Sequence, residues 1–157
     1  MCNRIDNFVI SSVVSKLLGT KCRFNAVRPI TIYGYKYIKA GNVNAGPNLR
    51  IEFIDKSENQ LFSPLLSIGD NVLITDHSHG ATDLSTLMYI HPKERKLFSK
   101  GPVIIEDDVW IGENVCILPN VVIGKGAVIG CNTVVNKNIP PYSIVVGNPM
   151  RIINAKK

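Results

Sequence analysis

The sequence predicts an all-β fold, a parallel β-helix of hexapeptide repeats with a short N-terminal helical cap and a long loop excursion. Three observations predict the β-helix: an aliphatic residue recurs at every sixth position, a small or β-branched residue follows it by four, and Asn, Asp or Gly usually stands between them. Two apolar positions in six match neither the 3.6-residue period of an α-helix nor the alternation of a long strand. Short strands joined by turns do match, and three hexapeptides then complete one triangular coil.

The repeat is most regular between residues 105 and 139. Its aliphatic positions are Ile105, Ile111, Ile117, Ile123, Ile129 and Val135. Its second apolar positions are Val109, Val115, Val121, Ala127, Thr133 and Ile139. The turn positions, whose residue types mostly tolerate a left-handed backbone, are Asp108, Asn114, Asn120, Gly126, Asn132 and Asn138. An upstream copy begins at Ile68, and a weaker one begins near Ile38.

The remaining segments complete a single domain of 157 residues. Residues 1–25 are expected to form an N-terminal cap, because apolar positions between 5 and 18 have helical spacing and Gly19 can end the helix. Residues 80–102 interrupt the repeat as a long polar loop, and excursions of this length are usually functional. Residues 140–157 are expected to form a C-terminal tail.

Charge and cysteine content narrow the possible partners and compartments. The net charge is +6, but the basic residues are scattered and no nucleic-acid-binding motif accompanies them. No apolar stretch is long enough to predict a membrane span. The four cysteines form no CxxC pair, which favours reduced thiols and a cytoplasmic protein; they are Cys2, Cys22, Cys116 and Cys131.

Two of the three histidines occur together in the segment Asp76–Gly80, directly before the long loop. Counted in the repeat register from Ile74, His77 takes the turn position and His79 points outward. Because other turn positions hold Asn, Asp or Gly, His77 breaks the local rule, and such exceptions are often functional. A histidine beside an overhanging loop is a candidate general base.

The positions five after each aliphatic residue should face outward, yet most of them are apolar. Leaving such stripes in water is unfavourable, so we expect an oligomer, and triangular prisms readily form a cyclic trimer. Alternatively, the loop and the N-terminal segment cover them. The positions are Leu73, His79, Trp110, Cys116, Val122, Val128 and Val134.

Three motifs of the C-terminal half extend beyond the general repeat pattern: Val109-Trp110-Ile111-Gly112, Ile139-Pro140-Pro141 and Gly147-Asn148-Pro149-Met150-Arg151. In these motifs the chain resembles the maltose and galactoside O-acetyltransferases, and the resemblance covers about residues 30–155. Tyr33-Gly34-Tyr35 and the segment 68–74 are similar to the upstream half. The segment Asp76–Gly80 is more similar to relatives that O-acetylate lipopolysaccharide, capsule or colanic acid sugars. The resemblance implies that the coils wind left-handed.

The resemblance also implies a reaction and a base. Acetyl-CoA would lie between neighbouring subunits of a homotrimer, and a histidine would deprotonate an acceptor hydroxyl that attacks the thioester directly. Backbone amides would stabilise the oxyanion, and no metal is expected. The catalytic histidine falls on His79, with His77 as the runner-up. Asp76 or a main-chain carbonyl would hold the tautomer of the base.

The resemblance further implies contacts for both substrates. Trp110 would flank the pantetheine arm, and Arg151 would approach the phosphates of CoA. The resemblance implies four further contacts for CoA and one for the acceptor: Gly112, Cys131, Asn136 and Lys137 for CoA, and Asn48 for the acceptor. An acidic acceptor residue corresponds to Asp55. The acceptor is expected to be a sugar hydroxyl of a surface polysaccharide or its precursor.

Three other functions compete with this one. The first is N-acetyl transfer to an amino sugar, which needs similar proton chemistry. The second is a metalloenzyme like the hexapeptide-repeat carbonic anhydrases, which requires three histidines and would use His77, His79 and His91. The third is a non-catalytic scaffold, which would not need the histidine segment or the CoA contacts.

Overall fold

The computed structural model describes residues 24–27, 29–34, 38–54, 59–61, 65–78, 89–91, 94 and 98–155. The predicted helix within residues 5–18 and most of the loop 80–102 lie outside the described residues. The end of the expected cap segment, Phe24 and Asn25, belongs to the first strand.

The described strands form the three faces of a triangular prism, and neighbouring strands on each face run parallel. Face 1 contains β1 (Phe24–Ala26), β4 (Val43–Ala45), β7 (Leu66–Ile68), β12 (Trp110–Ile111), β15 (Val128–Ile129) and β17 (Ser143–Val146). Face 2 contains β2 (Ile30–Tyr33), β5 (Leu49–Glu52), β8 (Leu73–Thr75), β13 (Cys116–Ile117) and β16 (Val134–Val135). Face 3 contains β3 (Ile38–Ala40), β6 (Asn59–Leu61), β11 (Val103–Ile105) and β14 (Val121–Ile123).

Two antiparallel pairs accompany the prism. β9 (His77–Ser78) pairs with β10 (Phe98–Ser99) at the two ends of the long excursion. β18 (Arg151–Ala155) folds back on β17 beside the last coil. The left-handed parallel β-helix expected from the sequence is therefore confirmed, with about five coils.

The interior consists of aliphatic residues stacked in register. On face 2, for example, Ile51, Ile74, Ile117 and Val135 lie on successive strands and are each fully buried. Both predicted inward sets are buried throughout residues 105–139. This stacking removes a continuous column of branched side chains from water. Burial of apolar surface is the main favourable term in the free energy of folding.

The corners need residues that accept a left-handed backbone. The turn positions from Asp108 to Asn132 all have φ between 56° and 66°, as the sequence predicts. A β-branched residue there would bring Cβ too close to the following carbonyl, whereas Asn and Gly tolerate the conformation.

The last coil departs from the predicted spacing. Ile139 pairs with Ile123, so it occupies an aliphatic position on face 3 only four residues after Val135. The expectation that Asn138 turns a corner in the left-handed conformation is therefore wrong, because this coil is shortened by two residues there. Tyr142 takes the next turn position, with φ 57°, and the strand β17 continues the prism into the expected tail.

We define edge 1–2 as the corner where the chain passes from face 1 to face 2, and edge 2–3 as the next corner. Edge 2–3 carries the irregular spacing. The chain uses six residues between stacked aliphatic positions there only in the fourth coil, from Ile117 to Ile123. Below that coil, the corresponding steps are longer and grow along the chain: Ile32 to Ala40, Ile51 to Leu61, and Ile74 to Ile105. Three successive coils thus contain extra residues at one edge.

The alternation of inward and outward side chains can be tested on a single strand. Val135 is fully buried, and its neighbour Val134 is only partly buried. We expect Val135→Ala to lower the free energy of unfolding by about 2 kcal/mol, because it leaves a cavity in the stack. Val134→Ala should cost less than about 1 kcal/mol. Urea unfolding measures both, and equal losses would contradict the assigned register.

Candidate active site

Asp76 anchors the edge at which the third coil leaves the prism. It follows strand β8, is fully buried, and its N–H donates to the carbonyl oxygen of Glu52 at 3.2 Å. Its carboxylate accepts the N–H of Ile54, which lies 3.0 Å from Oδ1 and 3.1 Å from Oδ2. Because Ile54 follows strand β5 in the preceding coil, this hydrogen bond joins two successive coils at edge 2–3.

His77 does not take the turn position that the repeat predicts. It lies on strand β9 opposite Ser99, and its side chain is only 7% exposed. The prediction is wrong because the chain turns away into the antiparallel pair instead of continuing round the prism. No left-handed corner is therefore needed at this point, and His77 is not among the residues with positive φ.

The His77 ring is held at Nδ1. This nitrogen lies 3.2 Å from Oδ1 of Asp76 and 3.1 Å from Oγ1 of Thr75. A carboxylate can only accept a hydrogen bond, so Nδ1 facing Asp76 carries the proton. In the neutral imidazole the lone pair is then on Nε2, which is the basic nitrogen of the ring.

Two predicted site residues, His79 and Asp55, lie outside the described residues. Asp76 was expected to orient the catalytic histidine, and the structure places its carboxylate against His77. Asn48 lies elsewhere, at a turn position of edge 1–2 with φ 60°. Its Nδ2 donates to Oδ1 of Asn71 at 2.7 Å, in the next coil, so the residue has a structural role there.

Three of the predicted CoA contacts come together near edge 1–2. Trp110 lies on the outside of face 1 and is 51% exposed. Cys131 is exposed on the next coil. Gly112 is buried, and a Cβ there would come within 2.8 Å of the backbone nitrogen of Cys131. Close packing between coils therefore accounts for a glycine at position 112 without a ligand.

The other predicted CoA contacts lie apart from these three. Asn136 and Lys137 are exposed on edge 2–3, just after Val135, which lies two strands from Ile74 on face 2. Arg151 is exposed at the start of β18, opposite Val146. Within one chain the predicted contacts thus divide between two edges of the prism.

The outward positions that the structure describes are at least partly accessible, as predicted. Trp110 is exposed, while Leu73, Cys116, Val122, Val128 and Val134 are partly buried. Burial raises the pKa of the Cys116 thiol. Its thiolate is therefore disfavoured on the outside of face 2.

Two further findings concern the part of the chain that the structure describes. It contains no group of three His, Cys, Asp or Glu side chains close enough to hold a metal ion. His79 lies outside this part of the chain. The same part also contains no helix with the length and apolar character needed to cross a membrane.

Comparison with known proteins identifies the family. The model of the family described as bacterial transferase hexapeptide (six repeats) matches residues 102–137. Galactoside O-acetyltransferase of Escherichia coli K12 is 31% identical over 147 residues, which cover 90% of this chain and 66% of that protein. The chain belongs to the hexapeptide-repeat transferases. WbbJ of the same organism, whose name assigns it to O-acetyl transfer in lipopolysaccharide biosynthesis, is 43% identical over 89 residues, which cover 55% of this chain and 45% of WbbJ.

Solved structures extend the similarity of this transferase to nearly its whole length. The hexapeptide-repeat acetyltransferase VCA0836 of Vibrio cholerae, complexed with acetyl-CoA, matches with a TM-score of 0.74 and 26% identity over 99% of this chain and 81% of that one. Maltose O-acetyltransferase of Clostridium difficile shares the fold, with a TM-score of 0.71 and 24% identity over 98% and 88% of the two chains. The transferase spans about half the length of the first curated relatives it matches.

Thr75 is a site residue that the sequence reasoning missed. It occupies the last position of β8 and is 8% exposed, and its hydroxyl lies against His77. The available signal was its place beside Asp76 and His77 at the interrupted corner. The repeat pattern alone does not reveal the contact, since the antiparallel pair of β9 and β10, which includes His77, lies outside the repeat.

The two described cysteines of the transferase should differ in reactivity. We expect iodoacetamide to modify Cys131 at least about tenfold faster than Cys116 at pH 8, because Cys131 is exposed while burial raises the pKa of Cys116. Peptide mass spectrometry over time measures both rates. The denatured protein is the control and should show similar rates, whereas equal rates in the folded protein would contradict the assignment.

Proposed function

We propose that the transferase moves the acetyl group of acetyl-CoA to a sugar hydroxyl, with His77 as the general base. The observation that carries this proposal is the buried Asp76–His77 pair at edge 2–3, in which Asp76 and Thr75 hold Nδ1 of the His77 ring. His79, which the sequence favours, is the alternative base. Orientation of the His77 ring by Asp76 is the reason for preferring His77.

The proposed reaction needs one proton carrier. Nε2 of His77 takes the proton of the acceptor hydroxyl while the hydroxyl oxygen attacks the thioester carbonyl carbon. The tetrahedral intermediate collapses with cleavage of the carbon–sulfur bond. The departing CoA sulfur receives the proton from the imidazolium, so the products are the acetyl ester and free CoA. Asp76 stabilises the imidazolium between the two transfers.

The acceptor is proposed to bind at edge 2–3, where three coils contain extra residues. Asp55 is a proposed contact because it directly follows Ile54, whose N–H bonds to the carboxylate of Asp76. Asn48 lies on edge 1–2 and would reach this acceptor only from a neighbouring subunit. The name of WbbJ supports a sugar of a surface polysaccharide, or its precursor, as the acceptor class.

The donor is proposed to bind between subunits of a homotrimer. The complex of VCA0836 with acetyl-CoA supports the donor. The division of the proposed CoA contacts supports the trimer: Trp110, Gly112 and Cys131 lie at edge 1–2, whereas Asn136 and Lys137 share edge 2–3 with His77. A groove formed by edges of two subunits would unite both sets, with Arg151 near the CoA phosphates. We further propose that the transferase works in the cytoplasm, where acetyl-CoA is available.

A thiol-release assay tests the reaction. With acetyl-CoA and a panel of sugars, nucleotide sugars and glycan fragments, we expect at least one hydroxyl acceptor to release CoA. His77→Asn should lower the rate about 10²-fold or more, because it removes the base. His79→Asn is the matched control and should have a smaller effect.

Other outcomes of this assay are equally informative. Loss of activity in His79→Asn alone would move the base to His79. A preference for an amino sugar over its hydroxyl analogue would favour N-acetyl transfer. Absence of CoA release with every acceptor would contradict the proposed function.

Protection of Cys131 tests the donor site separately. We expect saturating acetyl-CoA to slow the alkylation of Cys131 at least about fivefold, because the bound pantetheine arm would cover this side of edge 1–2. Free adenine at the same concentration is the control and should not protect. Unchanged alkylation of Cys131 at saturating acetyl-CoA would remove this residue from the proposed donor site.

A further inference from the structure

The hydroxyl of Thr75 makes three polar contacts with His77. Oγ1 lies 3.1 Å from Nδ1 of His77, donates to the carbonyl oxygen of His77 at 3.3 Å, and accepts the N–H of His77 at 3.3 Å. A hydroxyl has one proton and two lone pairs. Since the proton goes to the carbonyl oxygen and Asp76 fixes the proton on Nδ1, the hydroxyl oxygen faces Nδ1 as an acceptor.

We propose that Thr75 is a positioning residue for His77, a role that rests on the proposed function of His77 as the base. Its oxygen and Oδ1 of Asp76 share the proton of Nδ1. One acceptor selects the tautomer of the ring, but two acceptors at different places also restrict its rotation. Nε2 then points in a fixed direction before the acceptor hydroxyl arrives, which lowers the cost of orientation in the transition state.

The two acceptors are held by different parts of the prism. Asp76 is fixed through the N–H of Ile54 in the preceding coil. Thr75 is fixed by strand β8, where it pairs with Glu52. The orientation of the His77 ring is therefore fixed both by the sheet of face 2 and by the preceding coil at edge 2–3, where the acceptor is proposed to bind.

The prism itself does not require threonine at this position. The residues that follow the stacked aliphatic position of face 2 in the other coils differ in size and polarity: Tyr33, Glu52, Leu118 and Asn136. Packing of the coils therefore does not require one particular kind of side chain at this position. The contacts with His77 explain the hydroxyl, because a buried hydroxyl without partners would be costly.

Thr75→Val tests the role, since valine keeps the shape and removes the hydroxyl. We expect it to lower kcat/KM about tenfold, mostly through kcat, with the KM for acetyl-CoA unchanged. Thr75→Ser should restore kcat to within about threefold of the unmodified protein. Thr31→Val, on the outside of strand β2, is the matched control and should leave activity unchanged. Should Thr75→Val fail to fold, Thr75→Ala takes its place with the same expectations.

Nitrogen-15 NMR of the imidazole of His77 in the free protein provides a readout that does not depend on acetyl transfer. At a pH where the ring is neutral, both proteins should carry the proton predominantly on Nδ1 because Asp76 is retained. Thr75→Val should show broadened Nδ1 and Nε2 signals, because its ring is less restricted in rotation. If no acceptor is acetylated but this change is observed, the positioning role stands and the proposed function fails. If Thr75→Val retains both the narrow imidazole signals and kcat, the positioning role is overturned.

Discussion

The rest of the structure depends on the left-handed corner that recurs between short strands. A residue such as Asn114 can turn this corner with φ 56° because Asn tolerates the left-handed conformation. The corner keeps successive coils in register, so aliphatic residues such as Ile117 stack directly on one another. Registered coils also keep every insertion at a fixed edge, about 4.8 Å from its neighbour on the next coil.

The candidate site forms where the chain leaves this regular path. At edge 2–3 the third coil departs after Asp76 and returns through β10, and the N–H of Ile54 in the second coil contacts the carboxylate of Asp76. The hydrogen bond between these two residues allows a buried carboxylate to be satisfied there, since an unpaired one would be costly. His77 takes its orientation from this carboxylate, so the proposed chemistry depends on two irregular coils being adjacent.

The prism could be predicted from the sequence because the types of residue that recur at a fixed spacing determine where each strand and corner lies. Ile111 and Asn114, for example, are recognisable by position alone. The same counting failed at His77 and Ile139 because it assumes six residues at each step, and the chain inserts or omits residues there. Thr75 could not be recognised because its contacts with His77 depend on the antiparallel pair of β9 and β10. The division of proposed CoA contacts between two edges also required the register of the coils.

A structure of the transferase with acetyl-CoA bound tests most directly the claim that the chemistry takes place at edge 2–3. The account predicts the thioester carbonyl carbon within about 5 Å of Nε2 of His77, with room for an acceptor oxygen within hydrogen-bond reach of both. It also predicts the pantetheine arm beside Trp110 of a neighbouring subunit. A thioester bound well away from His77, or donor contacts confined to a single chain at edge 1–2, would contradict the account.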